Sequence, residues 1–267
     1  MRRKNIYASV KIKEVISALE RFAPLPLQES WDNAGLQLGL TEAEVSGALL
    51  CLDVTEAIID EAVGKGCNLV VSHHPLLFRG LKHITGATDV ERAVMKALKS
   101  DVAVVSMHTN MDNAEGGVNW KIAQKLGLTG IRPLRPREGA KCEGAIGELP
   151  EEMVSCDFVL MLKRALEAES VMANQLLRRR IKRVALCGGA GDFMLDDALA
   201  QEADAFVTGE MHYHQYAGHD QQIQICVVGH YESEHFTTEV FADILARECP
   251  EVRVVTAETN TNPILYL

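Results

Sequence analysis

The sequence predicts an α/β protein built as two halves of similar size. Three observations lead there. Short apolar runs of strand length, such as "NLVVS" (68–72), "VAVVSMH" (102–108) and "AFVTGE" (205–210), alternate with stretches whose apolar residues recur at helical spacing. Strand–helix–strand order with buried-looking strands is the pattern of a parallel or mixed sheet flanked by helices. The rhythm breaks once, over 131–156, and then restarts.

Taken in order, Ile12, Val15, Ile16, Leu19 and Phe22 predict an amphipathic helix over 12–23, ended by Pro24 and Pro26. "ESWDNAGLQLG" (29–39) is polar, aromatic and glycine-containing, so it is expected to be a loop. "GALLCLDVT" (47–55) is a strand. Thr55 caps a helix that runs to about Val63, with Gly64 and Gly66 at its end. Thr88 and Glu91 have the spacing of a capping box and open a helix over 89–99. A helix over 118–126 closes the first half, 11–130.

Residues 131–156 hold Pro133, Pro136, Gly139, Gly144, Gly147 and Pro150, and are expected to cross between the halves. The second half, 157–267, begins with a helix over 157–168. "RVALCGGAG" (183–191) is a strand and a glycine turn, followed by a helix over 193–202. "CGGAG" lacks a full phosphate-binding fingerprint, so a plain strand-to-helix turn accounts for it. "IQICVVGHYESE" (223–234) is a strand running into a polar turn. A helix over 235–247 leads to a last strand, "VRVVTAE" (252–258), a candidate to complete the first half.

Composition narrows the function classes. The chain has 267 residues, 47% apolar and 24% charged, as ordinary soluble domains do. Its formal net charge is −10, and its one basic run, "RRRIKR" (178–183), fits the end of a helix running into a strand. That balance argues against nonspecific nucleic-acid binding as the main activity. Seven cysteines, with no CxxC pair, support neither a disulfide scaffold nor a thiolate zinc site, and point to reducing cytoplasm. No apolar run has transmembrane length. Residues 1–10 are basic, lack the apolar core of a signal peptide, and are expected to be a disordered tail or tag remnant.

The chemistry gathers just past strand ends, where open α/β sheets place their sites. The clusters are His73 and His74 in "VVSHHPLLF", "HTNMD" at 108–112, "TGEMHYH" at 208–214 and "GHYESE" at 229–234. Pro75 breaks the strand, so both adjacent rings can turn to one space. Side by side they would repel if protonated, whereas a divalent metal takes neutral imidazole. His230 and Glu234 are four apart and share a face if that turn is helical. Three imidazoles and two carboxylates suit zinc, iron or manganese. Five protein ligands exceed what one open catalytic zinc needs, and suit two carboxylate-bridged ions.

The motifs "ESWDNAGLQLG", "LDVT", "SHHPLLF", "HTNMD", "TGEMHYH" and "GHYESE", in this order, resemble the NGG1-interacting-factor-three-like family. Its bacterial members carry the name GTP cyclohydrolase 1 type 2 homolog. The resemblance covers nearly the whole chain from Lys11. It implies two related α/β domains with mixed sheets and a dinuclear metal centre in the cleft between them. It also implies a homohexamer, a trimer of dimers. The short stretch at 131–156 resembles the short form, without a middle insert domain. By the same resemblance the metal ligands are His73, His74, Asp112, His230 and Glu234. His108, Glu210 and His214 would belong to the polar wall around them. Asn33, Asp53, Asp32 and Thr55 would line the site, with Asn33 the candidate for holding substrate.

These expectations favour a metal-dependent hydrolase with two divalent ions per chain, acting on a nucleotide or phosphoester. Attack at purine C8 would suit Glu210 or His214 as proton carriers. The alternatives are a metal trafficking or insertion protein, and a regulatory scaffold for protein partners.

Overall fold

The computed structural model describes residues 10–136 and 141–267. The expectation of a disordered tail at 1–10 lies outside the described residues except at Val10. The chain divides into two compact units. One runs to Met111 and regains Thr238–Thr261; the other comprises Asp112–Thr237 and Asn262–Leu267.

In the first unit, α1 (Ile12–Phe22) buries Ile12, Val15, Ile16, Ala18 and Leu19, the stripe that the spacing predicts. The expected loop at 29–39 is only partly one, because Gly35–Leu38 forms β1. Four residues with a single buried position leave too short a pattern for periodicity to register. Then follow β2 (Ala48–Cys51), α2 (Glu56–Gly64), β3 (Leu69–Ser72), α3 (Asp89–Lys99) and β4 (Ala103–Ser106). The three strands β2, β3 and β4 are buried at every position, which explains their unbroken apolar runs.

Thr55 caps α2 by accepting from Ile58 N at 3.3 Å. Thr88 caps α3 by accepting from Glu91 N at 3.2 Å. The reciprocal half of that capping box is diverted. The Glu91 carboxylate accepts from Thr85 N and Oγ1, both at 2.8 Å, and from Ala87 N at 3.1 Å.

The short helix α4 (Thr109–Asp112) begins the passage to the second unit. There α5 (Val118–Lys125) precedes β5 (Thr129–Pro136) and β6 (Cys142–Met153). Next come α6 (Ser155–Ala165), β7 (Met172–Ala173), β8 (Ile181–Cys187) and α7 (Leu195–Ala200). The unit closes with β9 (Ala205–Thr208), β10 (Gln224–Val227) and α8 (His230–Glu234). Afterwards α9 (Thr237–Glu248) and β11 (Val254–Thr256) run back into the first unit.

The first sheet has the order β1-β4-β3-β2-β11, with β1 antiparallel to β4 and the other neighbours parallel. The second has the order β5-β6-β8-β9-β10-β7, parallel across β8, β9 and β10 and antiparallel elsewhere. Both sheets are therefore mixed.

Residues 131–156, expected to cross between halves, instead supply the two antiparallel strands β5 and β6, with Arg132 opposite Ile146 and Arg135 opposite Glu143. Pro133 and Pro136 are compatible with this because β5 is an edge strand, and Pro150 falls where the β6–β8 register breaks between Glu148 and Met153. The unit boundary accordingly falls at Asp112 rather than near 130, and 238–261 leaves the second half for the first.

Each unit has its own core. Leu49, Ile58, Ile59, Val70 and Val104 pack in the first; Ile146, Met194, Phe206 and Ile225 pack in the second. Full burial of each such side chain contributes about 1.5–3 kcal/mol. None of the seven cysteines is in a disulfide, and burial pushes the Cys226 thiol up to about 12 and those of Cys51 and Cys187 higher still. The buried ones behave as small hydrophobes; Cys156 is exposed.

Candidate metal centre

Parallel register sets the candidate residues level at one end of each sheet. In the first unit Cys51, Ser72 and Ser106 lie abreast on β2, β3 and β4. The residues just past them therefore emerge together: Asp53, His73 with His74, and Met107 with His108. The turn is tied down by backbone, since His74 N donates to Leu52 O at 3.0 Å and Met107 N to Ser72 O at 2.9 Å. Ser72 Oγ also donates to His74 O at 2.9 Å.

The result is a cluster of three imidazoles. Ring centroids lie 5.0 Å apart for His73 and His74, 5.3 Å for His73 and His108, and 5.5 Å for His74 and His108. One donor nitrogen from each falls within 4.8 Å of the other two. His108, expected from the resemblance in the surrounding wall, thus stands with the two histidines named as ligands.

Each ring is held by Nδ1. His73, completely buried, donates from Nδ1 to Met107 O at 2.9 Å. His74 pairs with Asp53 Oδ1 at 2.7 Å, and His108 with Asp32 Oδ1 at 2.7 Å. An Nδ1 that donates in this way leaves Nε2 to offer its lone pair, the arrangement metal-binding histidines adopt. Asp53, named as substrate-lining, therefore orients His74; it also accepts from Thr261 Oγ1 at 2.8 Å. Burial is the largest influence and raises the Asp53 carboxyl pKa, but the hydrogen bond and charge of His74 together with the Thr261 hydrogen bond bring the group below its ordinary value. Burial likewise raises Asp32, while bonds from His108 and Thr109 hold it down at about 2. Asn33, the candidate for holding substrate, spends its amide on Leu77 O at 2.6 Å.

The second unit follows the same logic. Cys187, Thr208 and Val227 lie abreast on β8, β9 and β10. Past them come Gly188 and Gly189, Gly209 and Glu210, and Gly229 and His230. The polar turn expected at 230–234 is helical, as α8, and brings His230 Nε2 to 2.9 Å from Glu234 Oε2. His230 donates from Nδ1 to Glu210 Oε1 at 2.7 Å, so Glu210, named as a proton carrier, orients a candidate ligand. An Asp112 carboxylate oxygen lies within 4.8 Å of one from Glu234. His214 is exposed, on a 3-10 turn over Tyr213–Tyr216.

Two features went unseen in the sequence. The "CGGAG" turn makes room for the acid: Gly189 has φ +59°, and a Cβ there would overlap the Glu234 carboxylate. Ser233 Oγ accepts from Gly189 N at 2.9 Å and donates to His230 O at 2.8 Å, locking the turn to α8. Asn119, buried on α5, accepts from Gly188 N at 3.0 Å and donates to Asp112 O at 3.1 Å. A glycine run signals close approach but not to what, and a single Asn in a helix signals nothing.

Beside this donor set the second unit holds a cavity of about 570 Å³, lined among others by Met172, Asp192, Glu210, Met211, His230 and Tyr266. The donors throughout are imidazole nitrogen and carboxylate oxygen, and the rings are held with Nε2 presented. Such residues can hold a divalent metal ion. No helix among the described residues is long and apolar enough to cross a membrane.

Fold and site together define a mixed-sheet α/β protein with histidine–carboxylate donor sets at its strand ends. Over residues 10–263 the chain belongs to the Duf34/NIF3 (NGG1p interacting factor 3) family. It is 34% identical over 257 residues to a GTP cyclohydrolase 1 type 2 homolog of Lactococcus lactis, covering 95% of this chain and 98% of that one. It is 31% identical to NIF3-like protein 1 of Drosophila melanogaster, covering 99% and 92%. A hypothetical protein of Staphylococcus aureus superposes with a TM-score of 0.90 at 26% identity, over 97% of this chain and 100% of that one.

Proposed function

We propose that this chain is a metal-dependent hydrolase. His73, His74, Asp112, His230 and Glu234 would hold two divalent ions per chain, zinc, iron or manganese, with a carboxylate shared between them. One observation favours this over metal storage or a protein scaffold. The cavity of about 570 Å³ beside His230 and Glu210 has the size of a small-molecule site. When bound, the ions would supply Lewis acidity that lets water lose its proton near neutral pH.

The chain's own residues do the rest. Asp53 and Glu210 fix the imidazole planes of His74 and His230. His214, exposed four residues beyond Glu210, would exchange protons with solvent. The name borne by the bacterial relatives makes a nucleotide the first substrate class to try, with attack at purine C8. A homohexamer in the cytoplasm belongs to the same proposal, and light scattering should give about six chains.

The test is elemental analysis of untreated protein, followed by a nucleotide and phosphoester screen with the metal found. Two ions per chain and turnover that a chelator abolishes are expected. Full metal loading with no turnover on any substrate class would return the reading to metal trafficking.

A further inference from the structure

Trp31 and Phe78 are large aromatic side chains left in water, with 58% and 47% of their surface exposed. Their ring centroids are 5.9 Å apart and their planes are inclined at 55°. Both turn toward the imidazole cluster. Trp31 meets His108 edge-on at 6.0 Å and Phe78 does so at 6.3 Å. By contrast Trp120, the second tryptophan, is only 8% exposed. The core therefore has no need of the Trp31 ring.

The residues adjoining the two rings are hydrogen-bonded in place. Beside Trp31, Asp32 N donates to Glu29 O at 3.0 Å, and the Asp32 carboxylate accepts from His108 Nδ1, Thr109 N and Thr109 Oγ1. Beside Phe78, Leu77 O accepts from Asn33 Nδ2 at 2.6 Å and Leu77 N donates to Gln37 Oε1 at 3.1 Å. The Trp31 and Phe78 loops are thus stitched to each other. Rigid, exposed aromatic faces are what a planar ring needs for stacking, because little conformational freedom is lost when it binds.

We infer that Trp31 and Phe78 form a stacking platform for the planar heteroaromatic ring of a small molecule, which places that molecule against the His73–His74–His108 cluster. This rests on the hydrolase reading for its purpose, though not for its geometry. A protein partner seated on the rings would cover His108 as well and seal the imidazoles from solvent, which a reacting site cannot tolerate.

The test uses the metal-loaded protein as purified, with guanosine as the planar probe and ribose as the control without a ring. Guanosine is expected to quench the Trp31 share of the fluorescence saturably, and ribose to leave it unchanged. By calorimetry, Phe78→Ala and Trp31→Ala should each weaken guanosine binding about tenfold with metal content intact. Because both side chains are exposed, circular dichroism should show both variants folded. Parent-like affinity in both variants, or no binding of guanosine or any other planar ring by the parent, overturns the platform while leaving the metal site and any hydrolysis untouched. Variants that lose assembly in light scattering but keep ring affinity overturn it too, as they would mark the rings as a subunit contact. If guanosine stacks as expected but the loaded protein turns over nothing, the platform stands and the hydrolase reading falls.

Discussion

His230 and Glu234 stand one turn apart on α8, with imidazole Nε2 2.9 Å from a carboxylate oxygen. Glu210 grips the opposite ring nitrogen. A cation placed between Nε2 and Glu234 would take both donors without moving the ring.

Glu234→Ala should therefore lose at least one metal per chain and all metal-dependent hydrolysis, yet keep its circular dichroism, since the strands of the second sheet remain. Removing a shared carboxylate would leave two cations close together without the charge that offset their repulsion. His214→Ala should keep both metals and alter only turnover or substrate affinity. Mass-spectrometric metal analysis decides. Two tightly held metals in Glu234→Ala, with one missing from His214→Ala, would show the two roles to be exchanged.

Asp53→Ala removes the acceptor that orients His74 while leaving the imidazole in place. Metal affinity should fall about 10- to 100-fold, the usual cost of losing such a partner. Asp53→Asn keeps an oxygen that can accept from Nδ1 and should recover part of the loss. Competition against a chelator of known affinity measures both; equal affinity in all three proteins would remove the orienting role.

Gly189→Ala introduces a Cβ where the Glu234 carboxylate lies, at a φ of +59°. The backbone strain alone costs about 1–3 kcal/mol. The displaced acid should weaken metal binding as well. A variant whose melting temperature drops while its metal affinity stays at the parent value would contradict the cradle.

Glu91 predicts a pH dependence. Backbone and hydroxyl donors from Thr85, with the Ala87 N–H, hold its carboxyl down at about 2, below its ordinary 4.5. A depressed pKa stabilises the folded state above the unfolded value, and that contribution is lost as pH falls through the folded value. The melting-temperature difference between parent and Glu91→Gln should be constant near neutrality and shrink between about pH 4.5 and pH 2. A difference that grows on acidification would reverse the sign.

What the sequence made legible were the places where one physical rule dominates. Buried parallel strands show as apolar runs, so β2, β3, β4 and β9 stood out. His73, His74, His230 and Glu234 stood out as candidates because clusters of imidazoles and carboxylates recur at several strand ends of one chain, although a lone histidine there is usually structural. β1 was hidden because four residues show no period, and β5 because edge position, which excuses its prolines, is a tertiary fact. The roles of Asp53 and Glu210 as orienters were hidden for a related reason. Which strand ends lie abreast depends on register, and spacing along the chain does not encode it.

Glu29 to Asn33 show both outcomes. The polar, aromatic composition correctly marked a non-regular segment rich in functional groups. It could not show that Asp32 faces inward to His108 while Trp31 faces water. That choice is made by Thr109, far along the chain, whose N–H and hydroxyl both bind the Asp32 carboxylate.

The return of β11 to pair with β2 sets an order of events during synthesis. Residues 112–237 are contiguous, so nearly all of the second unit can fold while the ribosome is still adding residues. The first sheet cannot. Its strand β2, made early, keeps one edge open until Val254–Thr256 emerges, after the whole of the second unit's 112–237 stretch. An open edge of four buried residues is a template for pairing with another nascent chain. Emergence of Val254–Thr256 thus closes the edge and ends the period of greatest aggregation risk.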